Sequence, residues 1–174
     1  MKRYIDPMEH ATQILAGVKS GVLLTTCCDG KVNTMSISWG TLGIQWGKVI
    51  FTAFVRGSRH TEPMLAKAQE FTVNIPFEPI DRNIIKVCGT QSGRDVDKIR
   101  LLGLDLEEPD VISTPGIRQL PVTLECKVLY AQQQYPEHML SDSIRSHYPT
   151  DSTDIHADYH TAYYGEIVSA YVIE

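Results

Sequence analysis

Nothing in this sequence is apolar over the roughly 20 consecutive residues that a helix needs to cross a bilayer, and the opening MKRYIDPMEH lacks the apolar centre of a secretory leader. The expectation is a protein that stays in the cytoplasm and away from membranes. Basic residues nowhere run beyond two or three in a row, and the formal net charge is -5, so a nucleic-acid duplex or an anionic membrane finds no electrostatic footprint. The four cysteines, Cys27, Cys28, Cys88 and Cys126, show no C-x-x-C spacing. Each lies in or beside a strand-like run, the setting of a buried reduced thiol, and neighbours on a strand such as Cys27 and Cys28 point to opposite faces. His138, His147, His156 and His160 fall in or beside one polar stretch without the H-E-x-x-H pattern of a zinc helix, so no metal is expected. Neither a G-x-G-x-x-G nor a Walker loop is present, and Gly89-Thr90-Gln91-Ser92-Gly93 places its serine one position off a nucleophile elbow.

What is present suits a single domain over residues 1–174, since 43% apolar residues in a chain of this length supply one buried core. The first half reads as strands at Gly21 to Cys28, Val32 to Trp39 and Lys48 to Val55, with an Asp29-Gly30 hairpin turn and a glycine-rich link between the last two. A helix is predicted from Thr61 to about Gln69, with Thr61 as N-cap and Pro63 in its first turn, and then a strand from Phe71 to Ile75. Short helical pieces around Ile80 to Val87 and Gly93 to Leu102 precede an edge strand at Leu104 to Glu107. Longer strands are predicted at Val122 to Tyr130 and Ala162 to Ile173, with a polar connection from Tyr135 to Tyr159. Strands without a βαβ rhythm point to a mainly β fold, an antiparallel, Greek-key-like barrel, closed or partly closed, with short added helices.

The densest chemistry lies where the strand VIFTAFV runs into Arg56-Gly57-Ser58-Arg59-His60-Thr61 just before a helix. Guanidiniums donate paired charge-assisted bonds and a helix start offers free N–H groups, so an anion, and first a phosphate monoester, suits such a loop; the plain alternative is a solvated turn. In the strand from Val32 to Trp39, alternation puts Asn33, Met35, Ile37 and Trp39 on one face and the hydroxyls of Thr34, Ser36 and Ser38 on the other. Such a row is either the wet side of a sheet or a support for a planar heteroaromatic ring.

Five segments, in order, resemble the flavin reductase-like family of FMN-binding split barrels, which includes flavoredoxins. They are N-T-M-S-I-S-W at 33–39, R-G-S-R-H-T at 56–61, E-F-T-V-N-I-P at 70–76, C-G-T-Q-S-G-R-D-V-D-K at 88–98 and Y-Y-G-E-I-V at 163–168. The fourth is similar to a block of flavoredoxin-type members. Where many relatives carry a Pro-Pro pair, this chain has Gln45-Trp46-Gly47-Lys48.

The resemblance implies a split barrel that binds FMN non-covalently, with the ring against Met35, Ser36, Ile37 and Ser38 and the phosphate held by Arg56, Ser58, Arg59, His60 and Thr61. It also implies that Cys88, Gly89, Ser92 and Arg94 lie near the flavin, and makes Arg94 and Lys98 candidates for the N1–O2 edge of the ring. The activity implied is that of an NAD(P)H-dependent flavin reductase, with hydride passing to flavin N5 and electrons onward to free flavin, oxygen or a partner such as a monooxygenase component. The alternatives are a flavoredoxin-like electron carrier that does not oxidise NAD(P)H, and a phosphoryl-ligand module without redox activity. A homodimer is expected, and the Tyr135 to Tyr159 connection is a candidate to reach over a flavin site.

Overall fold

The computed structural model describes residues 1–77, 79–148 and 158–174. Strands β2 (Val22–Cys28) and β3 (Lys31–Ile37) form the expected hairpin. Asp29 at φ 51° and Gly30 at φ 73° both adopt the left-handed conformation that a two-residue primed turn requires. Strand β5 (Lys48–Arg56) is likewise paired through a two-residue turn, Trp46-Gly47, to β4 (Gly40–Gln45). The segment read as a glycine-rich link is therefore a strand. Gly40 serves there because a Cβ would stand 2.6 Å from the ring of Phe51.

Strand β1 (Lys2–Tyr4) and helix α1 (Ala11–Ser20) were not expected. The helix buries Ile14, Gly17 and Val18 at the i, i+3, i+4 spacing of one helical face, with Gly17 seated against Ile75. Helix α2 (Thr61–Ala68) falls where predicted, but His60 occupies the N-cap position, and the Thr61 hydroxyl accepts a bond of 2.8 Å from Asn33 Nδ2 in the interior instead of capping. Strand β6 (Glu70–Ile75) is followed by helices α3 (Arg82–Thr90) and α4 (Lys98–Leu102), whose starts are capped by Asp81 and Asp97. The segment from Gly93 to Asp97 is turn, not helix. Strands β7 (Leu106–Glu107) and β8 (Gly116–Ile117) make a small separate ribbon. The long strands β9 (Val122–Gln133) and β10 (His160–Ile173) are joined by a connection with a 3-10 turn and helix α5 (Asp142–Arg145).

Every pairing is antiparallel. The main sheet runs β3-β2-β6-β9-β10-β5-β4, with β1 added to β10. Its end strands β3 and β4 are joined by Ser38 and Trp39 alone, so the sheet curls and its two edge strands approach at that corner. Its concave side is filled by Leu24, Met35, Ile37, Phe51, Val55, Phe71, Val73, Leu124 and Tyr163, with the rest of one apolar core. Irregular pairing of β9 with β10 around Gly165 bends the wall, and Phe71 packs so close there that a Cβ would lie 2.6 Å from its ring. A second core under α3 unites Leu23, Ile84, Cys88, Leu104, Ile117 and Leu120 outside the curl.

Candidate functional site

The register of β5 with β10 sets His160 opposite Arg56 and Ala162 opposite Phe54. Alternation along β5 keeps Phe54 and Arg56 on one face, and the end of β3 faces them across a cleft of about 200 Å3. Met35, Ser36, Ile37, Ser38, Trp39, Phe54, Arg56, Arg59 and His160 line it. Met35 and Ile37 send their side chains into the core. Of the predicted hydroxyl row, Thr34 is fully buried and bonded to Leu24 O and Thr25 Oγ1, so it is not part of this cleft. Ser36 is half-buried against α3, where a Cβ on Gly89 would come within 2.5 Å of its Oγ, and Ser38 is exposed. Ser36 and Ser38 therefore carry the polar edge.

The Arg56–Thr61 loop opens off the same cleft. Arg56 Nη1 meets Asp158 Oδ2 at 3.1 Å, its Nη2 donates to His147 O at 3.0 Å, and its guanidinium lies 5.3 Å over the ring of Tyr148. Arg59 Nη1 donates to Gly89 O at 3.0 Å, and Arg94 Nη1 to Ser58 O at 3.1 Å, so the 88–94 segment is tied to the loop through both arginines. Ser92 Oγ accepts from Arg94 N at 3.2 Å and shapes that turn. Gly93 permits the approach, since a Cβ there would overlap Asn33 Oδ1 and stand 2.8 Å from His60 Cδ2. Cys88 points away into the second core, and burial pushes its thiol up to about 11, so it stays protonated.

A second, wider cleft of about 670 Å3 continues past His60 between the start of β3 and the 93–98 turn, lined by Lys31, Asn33, Gly93, Arg94 and Lys98 among others. Lys98 is buried with Nζ donating to Gln91 O at 3.2 Å, and burial lowers its pKa. Burial, then Arg94 and Lys98, lowers that of His60. Among the described residues Arg59, Arg94 and Lys98 form no ion pair. Asp29, Asp95 and Asp97 also line the wider cleft, but none of them pairs with these three cations, which leaves the guanidiniums able to face an anionic ligand group. Also among the described residues, no cluster of His, Cys, Asp and Glu is suited to a metal, and no helix is long and apolar enough to cross a membrane.

Sequence reasoning did not assign Trp39, Phe54, Tyr148, Asp158 or His160 to the site. His160 Nδ1 is 2.8 Å from the Tyr148 hydroxyl, which donates to Gln134 Oε1 at 2.9 Å, and Trp39 lies 4.8 Å from the imidazole. With the phenol proton on the Gln134 side, His160 carries its proton on Nδ1 and keeps Nε2 as an acceptor. Burial, helped by Arg56, pulls its pKa down to about 4, so it is neutral near pH 7. The signal that could have found His160 is its pairing with Arg56, which no local pattern encodes. Residues 149–157, which include His156 and the middle of the segment proposed to reach over the site, lie outside the described residues.

An antiparallel sheet thus carries, where β3 gives way to β4, a small cleft with a basic loop beside it. The model of the Flavin reductase like domain family matches residues 15–174, and the chain belongs to that family. Its fold is that of solved split-barrel relatives. A flavoredoxin from Methanosarcina acetivorans aligns with a TM-score of 0.65 at 23% identity, over 88% of this chain and 68% of that one. Component B of nitrilotriacetate monooxygenase from Bacillus cereus aligns with a TM-score of 0.67 at 18% identity, over 99% and 82%. An uncharacterized protein of Archaeoglobus fulgidus is 27% identical over 99 residues, 57% of this chain and 55% of that relative, so the match spans little more than half of its length.

Proposed function

We propose that residues 1–174 form one flavin reductase-like domain that binds FMN and passes electrons from NAD(P)H to flavin, oxygen or a partner protein such as a monooxygenase component. The observation that carries this reading is the cleft of Met35–Trp39, Phe54 and His160 opening onto a loop whose neighbouring cations Arg59, Arg94 and Lys98 form no ion pair among the described residues. The donor set fits FMN: edge hydroxyls and a neutral imidazole for a ring with its own donors and acceptors, and guanidiniums for a phosphate. When bound, FMN would supply the two-electron chemistry, accepting hydride at N5.

In this reading Ser36 and Ser38 orient the ring at the end of β3, while His160 Nε2 accepts a bond from it. Arg56, Ser58, Arg59, His60 and Thr61 form the phosphate end, with the first N–H groups of α2 behind them. Gly89 and Gly93 let the 88–94 segment close against β3. Arg94 and Lys98 place positive charge where electron density accumulates on reduction.

The flavoredoxin-type block at 88–98 favours a second reading, a carrier that receives electrons from a protein rather than from NAD(P)H. The exposed Trp46 of the β4–β5 turn and Tyr130 of β9 form an aromatic cluster with the half-buried Tyr164 of β10, and with the exposed Ile44 of β4 this supports a homodimer through that face.

Anaerobic titration of the FMN-loaded protein with NADH and then NADPH tests the function through the oxidised flavin band at about 450 nm. Bleaching by either supports the reductase. A bound flavin bleached by dithionite alone moves the assignment to the carrier, and a protein that takes up no flavin ends both.

A further inference from the structure

Part of the donor set of the Arg56–Thr61 loop is already engaged within the chain. Asp158 places Oδ2 at 3.1 Å from Arg56 Nη1 and takes the backbone N–H of Ser58 on Oδ1 at 3.2 Å. The next residue joins in, as Gly57 N donates to Tyr159 O at 3.2 Å. The carboxylate thus rests between a guanidinium and a main-chain amide at the entry to α2, in the manner of a bound anion. Arg56 and Asp158 are partly shielded, with side chains 24% and 31% exposed, so the pair is stronger than an open surface bridge. Burial pushes the Asp158 carboxyl up, but the bonds from Ser58 and Arg56 outweigh it and hold it below its ordinary range, so it is ionised near pH 7. Its backbone is left-handed at φ 63°, a conformation costly for most residues and tolerated by Asn, Asp and Gly.

A phosphate monoester cannot take the Ser58 amide and that face of Arg56 while Asp158 holds them, and a phosphate beside a retained carboxylate meets like-charge repulsion. We propose that Asp158 is a specificity-determining residue, an internal carboxylate that a ligand phosphate must displace, so that the site favours FMN over riboflavin only weakly and FMN exchanges as a dissociable substrate instead of remaining resident. This rests on the flavin reading of the same site and adds to it which form of flavin is held, and for how long. Arg59, which among the described residues engages only its Nη1, on Gly89 O, keeps further N–H donors for a phosphate, so the discrimination is reduced and not abolished.

The test compares FMN and riboflavin binding, by quenching of flavin fluorescence, in wild type and in the D158N and D158G variants. Asn keeps the left-handed backbone and the acceptor for Ser58 but loses the charge facing Arg56; Gly removes the side chain and accepts the same backbone. Both variants are expected to hold FMN about tenfold tighter and release it more slowly, with riboflavin unchanged within about twofold, because only FMN carries the phosphate. Unchanged riboflavin binding also reports that each variant is folded. FMN binding that is unaltered or weakened in both variants, with riboflavin intact, overturns the role of Asp158 and leaves the flavin site standing. Absence of binding by either flavin to wild type and both variants overturns the flavin reading and this inference together.

Discussion

The imidazole of His160 and the phenol of Tyr148 share a 2.8 Å hydrogen bond at Nδ1, and this contact sets the tautomer of the histidine that faces the ring cleft. A buried His whose pKa lies at about 4 in the fold, against an ordinary 6.5, favours the folded state only while neutral. Its contribution is complete above pH 6.5 and is lost as pH falls toward 4, where the unfolded chain binds the extra proton. Urea melts across that window should show wild-type stability falling with pH and a flatter profile for His160→Gln, the difference bounded by about 3 kcal/mol. Parallel profiles would mean that His160 is not buried as a neutral base.

Arg56 and Arg59 reach the same loop but have different partners. Arg59→Ala removes a guanidinium that among the described residues is bound to Gly89 O alone, so FMN affinity should fall by about three- to tenfold while riboflavin changes little. Arg56→Ala should weaken FMN less, since Asp158 already engages part of that guanidinium. Isothermal titration with both flavins reads the ratio, and equal losses for FMN and riboflavin would remove the phosphate from this loop.

Much of this architecture was written locally. Asp29-Gly30 between two apolar runs marked a hairpin, and the run from Val49 into Arg56 marked a strand ending in an anion loop, because turn chemistry and clustered charge need only neighbouring residues. Helix α1 was hidden because Gly17 fills the centre of its buried face, and β4 because Gly40 and Gly43 read as a link until Phe51 explains the first of them. The rest of the site could not be read this way. Asp158 lies 102 residues from Arg56 and His147 lies 91 away, and they meet it because β10 pairs with β5, a long-range choice that no local pattern carries. Thr61 shows the same limit: it looked like a cap by position, yet Asn33 claims its hydroxyl across the fold.

Gly93 offers a test of how closely the 93–98 turn must pack on β3 and His60. A methyl group there would overlap Asn33 Oδ1 and press on the His60 ring, so Gly93→Ala should cost about 1–3 kcal/mol of stability and weaken flavin binding together. Gly47→Ala is the control, because φ is 71° and nothing lies near its Cβ; it should lose about 1 kcal/mol through backbone strain alone and bind flavin normally. Denaturant midpoints and flavin titrations of the two variants separate these effects.

Glu125 is fully buried on β9 and accepts from the backbone N–H groups of Asp110 at 2.7 Å, Val111 at 2.8 Å and Ile112 at 3.4 Å. No glutamine can replace it cleanly, since an amide would turn donors toward donors. Glu125→Gln and Glu125→Ala should both destabilise the fold by about 2–4 kcal/mol through unsatisfied buried amides. Flavin affinity at a temperature well below melting should be unchanged, as the loop it anchors is distant in sequence and lines neither cleft.

The aromatic cluster on the outer sheet face gives the last prediction. Tyr130 and Tyr164 lie 5.5 Å apart between ring centroids, Trp46 lies 6.2 Å from Tyr130, and Trp46 and Ile44 are 55% and 62% exposed. Rings packed edge to face or tilted and left in water form a surface a second copy would cover, and a stable pair buries about 800 Å2 on each partner. Trp46→Asn keeps the left-handed turn at φ 53° while removing the indole, and Tyr130→Ser removes the neighbouring ring without touching either cleft. Sedimentation equilibrium should show a dimer for wild type and at least a tenfold weaker association for the double variant, by loss of two anchor side chains. A double variant that associates as tightly as wild type would move the interface elsewhere, and a monomeric wild type would end the dimer proposal.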